Sequence, residues 1–335
     1  MRTDVLRVDR DAPAPEAVAR AAAVLRAGGL VALPTETVYG LAANALDPAA
    51  VARIFAAKGR PANNPLIVHA ADPDAARRVA ADWPGAAEEL AARFWPGPLT
   101  LVLPKQDLVP DVVTAGGPTV AVRVPAHSVA LAVIRAAGVP VAAPSANPSS
   151  QLSPTCAEHV LRGLGGRIEM ILDAGPTAAG VESTVLDLTA SPPRLLRPGP
   201  VTPVMIEAVI GPVEVPAHLV ASAGEPLRSP GLLGRHYAPR AALEVADGDG
   251  RERAEELARS GQRVGWLTFG VGRGQGHPRL TAVVMPRDPA EYAARLYAVL
   301  HELDAAGVER VVVARPPEGP GWLAVRDRLR RAAAE

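Results

Sequence analysis

Cysteine is almost missing: Cys156 is the single one in 335 residues. One thiol excludes an internal disulfide and any thiolate zinc cluster, and with no His-bearing motif beside it Cys156 does not read as a catalytic nucleophile. Net charge is missing too, with 35 basic residues against 35 acidic ones and a pI near 7.1. No overall field therefore draws the chain to nucleic acid or membrane, although a local arginine patch stays open. No stretch is long and uncharged enough to span a bilayer, and the N-terminus lacks the apolar core of a signal peptide, so the chain reads as cytoplasmic.

The common nucleotide and metal signatures are also absent. Neither lysine stands in a Gly-x-x-x-x-Gly-Lys-Ser/Thr context, so there is no P-loop. Gly270, Gly272, Gly274 and Gly276 follow a strand without the spacing of a dinucleotide fingerprint and read as a surface loop. Asp247-Gly248-Asp249-Gly250 begins like a calcium loop but lacks the later glutamate, which leaves a turn.

Lysine and asparagine are scarce in a way that points somewhere. Lys58 and Lys105 are the only lysines, and Asn44, Asn63, Asn64 and Asn147 the only asparagines. Two of these rare residues sit in short motifs, Lys58-Gly59-Arg60-Pro61 and Ser145-Ala146-Asn147. A chain that writes arginine almost everywhere has a reason to keep an ammonium at Lys58.

What is abundant describes the fold. Hydrophobic residues make up 48% of the chain, enough for ordinary cores, and 335 residues is longer than one core usually serves. Short β-like runs alternate with helical stretches, which predicts an α/β architecture. Helices are expected at Pro15–Ala27, from the Asp47-Pro48 cap to about Lys58, and at Ser128–Ala137 and Thr155–Leu164. Strands are expected at Leu30–Leu33, Leu66–His69, Leu99–Leu103, Thr119–Val124, Val139–Ala143, Ile168–Asp173, Ser183–Leu188 and Arg194–Arg197. After about Ile210 the period is lost. Residues 1–210 are thus expected to form one domain and 211–240 a Pro/Gly-rich linker, whose length suits an active-site lid. Residues 241–335 read as a smaller Rossmann-like domain with strands at Leu243–Val245, Val264–Thr268, Val283–Met285 and Val311–Ala314, and helices at Arg251–Ser260, Pro289–Ala306 and Trp322–Ala333.

A set of polar residues falls just past these strands, where open α/β sheets usually hold ligands. Thr35 and Thr37 follow one strand, His69 closes another, Arg123 a third, and Ser145 and Asn147 a fourth, while Ser183 and Arg197 flank two more. Taken singly, each is a turn residue, a satisfied histidine or a surface charge. Their recurrence after successive strands favours a site. Lys58, Arg60, Arg123 and Arg197 would suit a triphosphate and a carboxylate, since guanidinium clamps both.

These residues resemble the threonylcarbamoyl-AMP synthases built on the YrdC-like domain. The likeness rests on Pro34-Thr35-Glu36-Thr37-Val38-Tyr39-Gly40-Leu41, Lys58-Gly59-Arg60-Pro61 with Asn64-Pro65-Leu66, and Trp95-Pro96-Gly97-Pro98-Leu99-Thr100. It continues through Arg123-Val124-Pro125, Pro144-Ser145-Ala146-Asn147, Glu182-Ser183-Thr184-Val185 and Arg197-Pro198-Gly199. Ser229-Pro230-Gly231, Arg235-His236-Tyr237-Ala238-Pro239 and the tail are similar to the longer, two-domain form. The resemblance implies an open, twisted mixed sheet in the first domain and a synthase joining L-threonine, bicarbonate and ATP into threonylcarbamoyl-adenylate and pyrophosphate. That product is the first step toward threonylcarbamoyl-adenosine in tRNA.

Carried over by motif, Thr37, His69, Arg123, Ser183 and the backbone at Ala143 would hold threonine. Lys58, Arg60, Asn64, Thr119, Ser145, Asn147, Ser153, Arg197 and Tyr237 would surround ATP, with Lys58 and Arg60 nearest the chemistry. Magnesium would arrive with ATP, held by phosphates and water rather than a protein cage. A downstream tRNA threonylcarbamoyl-transfer machinery would receive the adenylate, and direct tRNA binding stays open. Two alternatives remain: an RNA-binding or ribosome-maturation module, which would want a basic face, and a carbamoyl-transfer module like part of the hydrogenase-maturation proteins. The latter carry acylphosphatase and zinc-finger segments that this chain lacks.

Overall fold

The computed structural model describes residues 2–216, 236–270 and 277–334. They divide into two compact units, the first holding 2–149, 153–178 and 182–216 and the second 150–152, 179–181 and the described residues from 236 onward. Most of the expected linker and lid, residues 217–235, lies outside the described residues.

The first unit is a mixed sheet with helices on both faces. Its strands are β1 (Asp4–Arg7), β2 (Val31–Leu33), β3 (Gly40–Asn44), β4 (Ile67–His69) and β5 (Leu99–Pro104). They continue as β6 (Thr119–Arg123), β7 (Val141–Ala142), β8 (Met170–Asp173), β9 (Thr184–Asp187) and β10 (Arg194–Arg197). The order across the sheet is β1-β8-β2-β3-β7-β4-β6-β5-β9-β10. β8 pairs in parallel with both β1 and β2, as do β4 with β6 and β5 with β9, while the other neighbours run antiparallel. Because both faces are covered, alternate residues of one strand enter different cores. On β2, Val31 and Leu33 join a cluster with the helices Pro15–Arg26 and Ser128–Ala137, and Ala32 joins one with Ile54 and Leu90 on the opposite face.

The helix Pro48–Lys58 shows how the sequence delivers a side chain to a chosen place. Asp47 caps its start, accepting from the Ala49 and Ala50 amides at 2.9 and 3.3 Å, and Pro48 occupies the first turn, where no amide partner is needed. Gly59, at φ 62°, ends it in the left-handed conformation that glycine adopts most cheaply. Lys58 therefore stands on the last helical residue, at the mouth of the loop that carries Arg60 and Asn64.

The second unit is a parallel four-stranded sheet of β11 (Ala242–Val245), β12 (Val264–Thr268), β13 (Leu280–Val284) and β14 (Arg310–Val313), in the order β11-β14-β12-β13. Its helices are Arg251–Arg259, Pro289–Ala305 and Leu323–Ala332. Two short excursions of the earlier chain complete it: Gln151 bridges Ala238, and Gly180 packs so closely on the Pro289–Ala305 helix that a Cβ there would lie 2.5 Å from the Ala294 Cα. β13 begins and ends earlier than the expected Val283–Met285. It is an edge strand, more than half exposed, so its backbone pairing to β12 rather than its apolar pattern fixes its limits.

Candidate active site

Two loops of the first unit are stitched together across β3. The Leu41 amide donates to the Pro144 carbonyl at 2.7 Å, the Ala146 amide to the Tyr39 carbonyl at 2.8 Å, and Gly40 bridges Ser145. The loop after β2, bearing Thr35 to Tyr39, thereby lies against the loop after β7, bearing Ala143 to Asn147.

Arg123 closes β6 and is 3% exposed. Its Nε donates to the Gly97 carbonyl at 3.0 Å and Nη1 to the Thr37 hydroxyl at 3.0 Å, while Nη2 lies 2.6 Å from Glu36 Oε1. Thr37 is ordered in turn. The Thr35 hydroxyl donates to the Val38 carbonyl at 2.7 Å, so at the 2.8 Å contact between the two threonines it is Thr37 that donates. One lone pair of Thr37 is then left to accept from a ligand.

His69, at the end of β4, is in parallel register with Arg123. Burial, with the Arg123 charge next, lowers its pKa to about 3, so the ring is neutral. Nδ1 lies 3.3 Å from the Ile67 carbonyl; with the proton there, Nε2 is an acceptor. The Arg197 charge also acts on it. Arg197 donates from Nε to the Ser183 carbonyl at 2.9 Å and from Nη2 to the Ser183 hydroxyl at 3.0 Å, and Thr100 Oγ1 stands 2.8 Å from the same hydroxyl.

Lys58 is the second focus. Its Nζ donates to the Ser145 and Asn147 carbonyls, both at 2.5 Å, and its own carbonyl accepts from the Ser149 amide. Burial and then the neighbouring Arg60 hold the ammonium well below its ordinary pKa. Arg60 folds back on its own loop, with Nε on the Asn64 carbonyl at 3.0 Å and Nη2 on Asn64 Oδ1 at 2.6 Å and the Pro65 carbonyl at 2.7 Å. Asn64 Nδ2 and Ser149 Oγ are buried with no hydrogen-bond partner among the described residues, the state expected of groups that pair with a ligand. Lys58, Arg60, Arg123 and Arg197 are each at most 9% exposed. Four buried cations in one unit, with Glu36 beside Arg123, suit an anionic ligand.

The remaining expected residues fall as follows. Ser153 donates to the Glu182 carboxylate, both buried. The Ala143 amide is taken by the Ile67 carbonyl at 3.0 Å. Thr119 begins β6, at the end opposite Arg123, with which it shares a face of the sheet. Tyr237 belongs to the second unit, where it is 1% exposed, takes φ 59°, lies edge-on to His236 and carries the Arg328 guanidinium 4.9 Å over its ring.

One expectation needs correcting. The carboxyl-end rule for parallel sheets does not describe this site, because β7 runs antiparallel to β4, with His69 opposite Val141. Residues after β7 and the residue closing β4 therefore leave from opposite ends of the pair, and Ser183 precedes its strand. Strands this short, at about 3.3 Å per residue, let long arginine side chains span the difference. Residues without an expected role also enter. Glu36 touches Arg123, Thr100 touches Ser183, and the Gly97 carbonyl fixes Arg123; a Cβ on Gly97 would sit 2.1 Å from the Phe94 carbonyl oxygen. Glu36 stood inside a quoted motif, and its charge between two hydroxyl residues was the available signal.

Comparison with known proteins covers most of the chain. A family described as telomere recombination matches residues 23–199, and the threonylcarbamoyl-AMP synthase C-terminal domain matches residues 201–334. The chain is 48% identical over 322 residues to the threonylcarbamoyl-AMP synthase of Pyrococcus abyssi, covering 93% of each. It is 46% identical over 321 residues to that of Bacillus subtilis, covering 94% of this chain and 92% of the other. The crystal structure of P. abyssi Sua5 complexed with L-threonine matches with a TM-score of 0.91 at 44% identity, over 99% of this chain and 98% of that one.

Proposed function

The chain belongs to the threonylcarbamoyl-AMP synthase family, in the form that carries the additional C-terminal domain, and from that premise we propose the reaction its site performs. L-Threonine, bicarbonate and ATP are joined into L-threonylcarbamoyl-adenylate and pyrophosphate, a nucleotidyl transfer carried out in the cytoplasm. The observation that carries this reading is Arg123: a buried guanidinium with a hydroxyl on one arm and a neutral imidazole alongside is a receptor for the carboxylate of a small hydroxylated amino acid.

In this reading Arg123 clamps the threonine carboxylate, and Thr37, His69, Ser183 and the Ala143 backbone orient the rest. His69, being neutral, accepts rather than repels the donors of an amino acid. Lys58 and Arg60 neutralise the triphosphate, and Asn64, Ser145, Asn147, Ser153, Thr119 and Arg197 fix its orientation and that of the nucleoside. The threonine amine and bicarbonate form a carbamate, whose oxygen attacks the α-phosphorus and expels pyrophosphate. Such a transfer needs positioning and charge neutralisation more than a protein nucleophile. The described residues hold no group of three or more His, Cys, Asp and Glu that could bind a metal. Magnesium, which we propose enters with ATP, would be carried by phosphate oxygens and water, and supplies further neutralisation of the triphosphate. The adenylate is a reactive mixed anhydride, and its consumer is a transferase that passes the threonylcarbamoyl group to a tRNA adenosine. No described helix is long and apolar enough to cross a membrane.

The test is pyrophosphate release from ATP by the full chain. Release should require L-threonine and bicarbonate together. Equal release when threonine is omitted would sink the assignment.

A further inference from the structure

Glu36 is the one acidic side chain in contact with the Arg123 guanidinium among the described residues, and the reaction as drawn gives it nothing to do. Its side chain is 15% exposed, and both carboxylate oxygens are buried without a hydrogen-bond partner among the described residues. The 2.6 Å approach of Oε1 to Arg123 Nη2 is an ion contact whose angles do not make a hydrogen bond. A carboxylate accepts at about four lone-pair sites. One off-axis cation therefore leaves it far from satisfied, and a buried acceptor in that state is costly.

The other groups around it do not fill the gap. Thr37 already donates to Thr35 and accepts from Arg123. His127, which precedes the Ser128–Ala137 helix, feels the Glu36 charge along with those of Arg10 and Asp11. Its Nδ1 accepts from the Val129 amide, and burial keeps its pKa below the ordinary value, so it offers Glu36 no compensating positive charge. What is missing beside Glu36 is a compact cation with several donors.

An α-amino acid brings one. Its ammonium is two bonds from the carboxyl carbon, so a carboxylate held by Arg123 sets the ammonium among the same neighbours. Resting on that reading of Arg123, we propose that Glu36 receives the α-ammonium of threonine and takes one of its protons as the carbamate forms. The ammonium gives a proton to Glu36 and becomes a free amine. The amine nitrogen then bonds to the bicarbonate carbon, a C–O bond breaks, and one amine proton leaves with that oxygen as water. The products are a carbamate anion, a protonated Glu36 and water, which balances the ammonium, carboxylate and bicarbonate that entered. A charged partner also separates threonine from hydroxy acids of the same shape.

The experiment pairs a change in the protein with a change in the ligand, in the full chain. Binding of L-threonine and of 3-hydroxybutanoate, the same skeleton without the amine, is measured by calorimetry for wild type, Glu36→Gln and Glu36→Asp. Glu36→Gln should weaken threonine about 30-fold, the scale of one charge-assisted hydrogen bond, and leave 3-hydroxybutanoate within about twofold. Glu36→Asp, which keeps the anion, should keep most of the preference for threonine. The ratio of two ligands on one protein is insensitive to a fraction of misfolded material. Equal weakening of both ligands would mean that Glu36 merely props Arg123, and tighter binding of either would mean that it competes for the guanidinium. Either result, or no change, overturns the proposal. Turnover gives a second readout. Glu36→Gln should lose about 100-fold in kcat near neutral pH, the usual size of a general-base contribution, and recover as alkaline solvent deprotonates the amine. A deficit that does not vary with pH overturns the proton-transfer step. Failure of the wild type to bind threonine at all would strike the functional reading instead.

Discussion

His69 and Lys58 are buried bases in surroundings that oppose a positive charge, and each has a measurable consequence. For His69, burial and the Arg123 and Arg197 charges lower the folded-state pKa to about 3, against about 6.5 in an unfolded chain. Above pH 6.5 the ring is neutral in both states and the residue costs nothing. As pH falls below that value the unfolded chain takes up a proton that the folded one refuses, so stability is lost progressively until the folded ring titrates near pH 3. The expected slope from this residue is about 1.4 kcal/mol per pH unit. His69→Gln, which cannot titrate, should flatten urea-unfolding stability between pH 6.5 and 4 by that amount, and parallel profiles for the two proteins would refute it. For Lys58 the argument is steric. Its Nζ is wedged at 2.5 Å from two carbonyls in a site 3% exposed, where a planar, always charged guanidinium has no room. Lys58→Arg should lower kcat/KM for pyrophosphate release about 100-fold, corresponding to ~3 kcal/mol for one preorganised electrostatic contact. Near-normal kinetics in a folded variant would remove Lys58 from the chemistry.

At the level of elements, legibility followed the strength of the local signal. The helix Pro48–Lys58 was readable at both ends because Asp47-Pro48 and Gly59 are chemical stops rather than statistical tendencies. The apolar runs that became β2, β4, β5 and β6 were readable because both sheet faces are covered, which leaves largely hydrophobic stretches. β3, Gly-Leu-Ala-Ala-Asn, was not. It has no β-branched or aromatic residue, and it is a strand because β2 and β7 pair with it on either side. β1 escaped for the opposite reason: its alternating exposure and charge leave it looking like any polar segment. The site divided along the same line. Lysine and asparagine scarcity and the repeated polar strand ends marked Lys58, Arg123 and Asn147, whereas Glu36 and Thr100 acquire meaning only through partners 87 and 83 positions away, sums that no local pattern contains. Strand direction was equally invisible. An antiparallel β7 next to β4 is decided by long-range pairing, and with it the opposite directions in which the chain leaves His69 and Ala142.

For the whole molecule the deciding quantity is where the arginines go. The chain is neutral overall, and neutrality alone is compatible with one strongly basic face. The ion pairs argue against such a face. On the first unit Arg20 pairs with Asp4, Arg53 with Glu169 and Arg162 with Glu158. On the second, Arg253 pairs with Glu244 and Glu256, Arg251 with Glu255 and Arg315 with Asp247. Exposed pairs of this kind add little stability, but they intersperse the two signs and so cancel the field that would attract a polyanion from a distance. Lys58, Arg60, Arg123 and Arg197 are instead buried within the first unit, each at most 9% exposed, and add little to the field at the surface. The RNA-binding alternative therefore predicts something this charge distribution does not support. Affinity of the full chain for an unmodified tRNA, measured between 50 and 200 mM salt without ATP or threonine, should stay weaker than about 10 µM at the upper end, within the range of non-specific contacts. Nanomolar binding with the steep salt dependence of about 6–10 phosphate contacts, in a protein that releases no pyrophosphate, would move the function from synthesis to recognition.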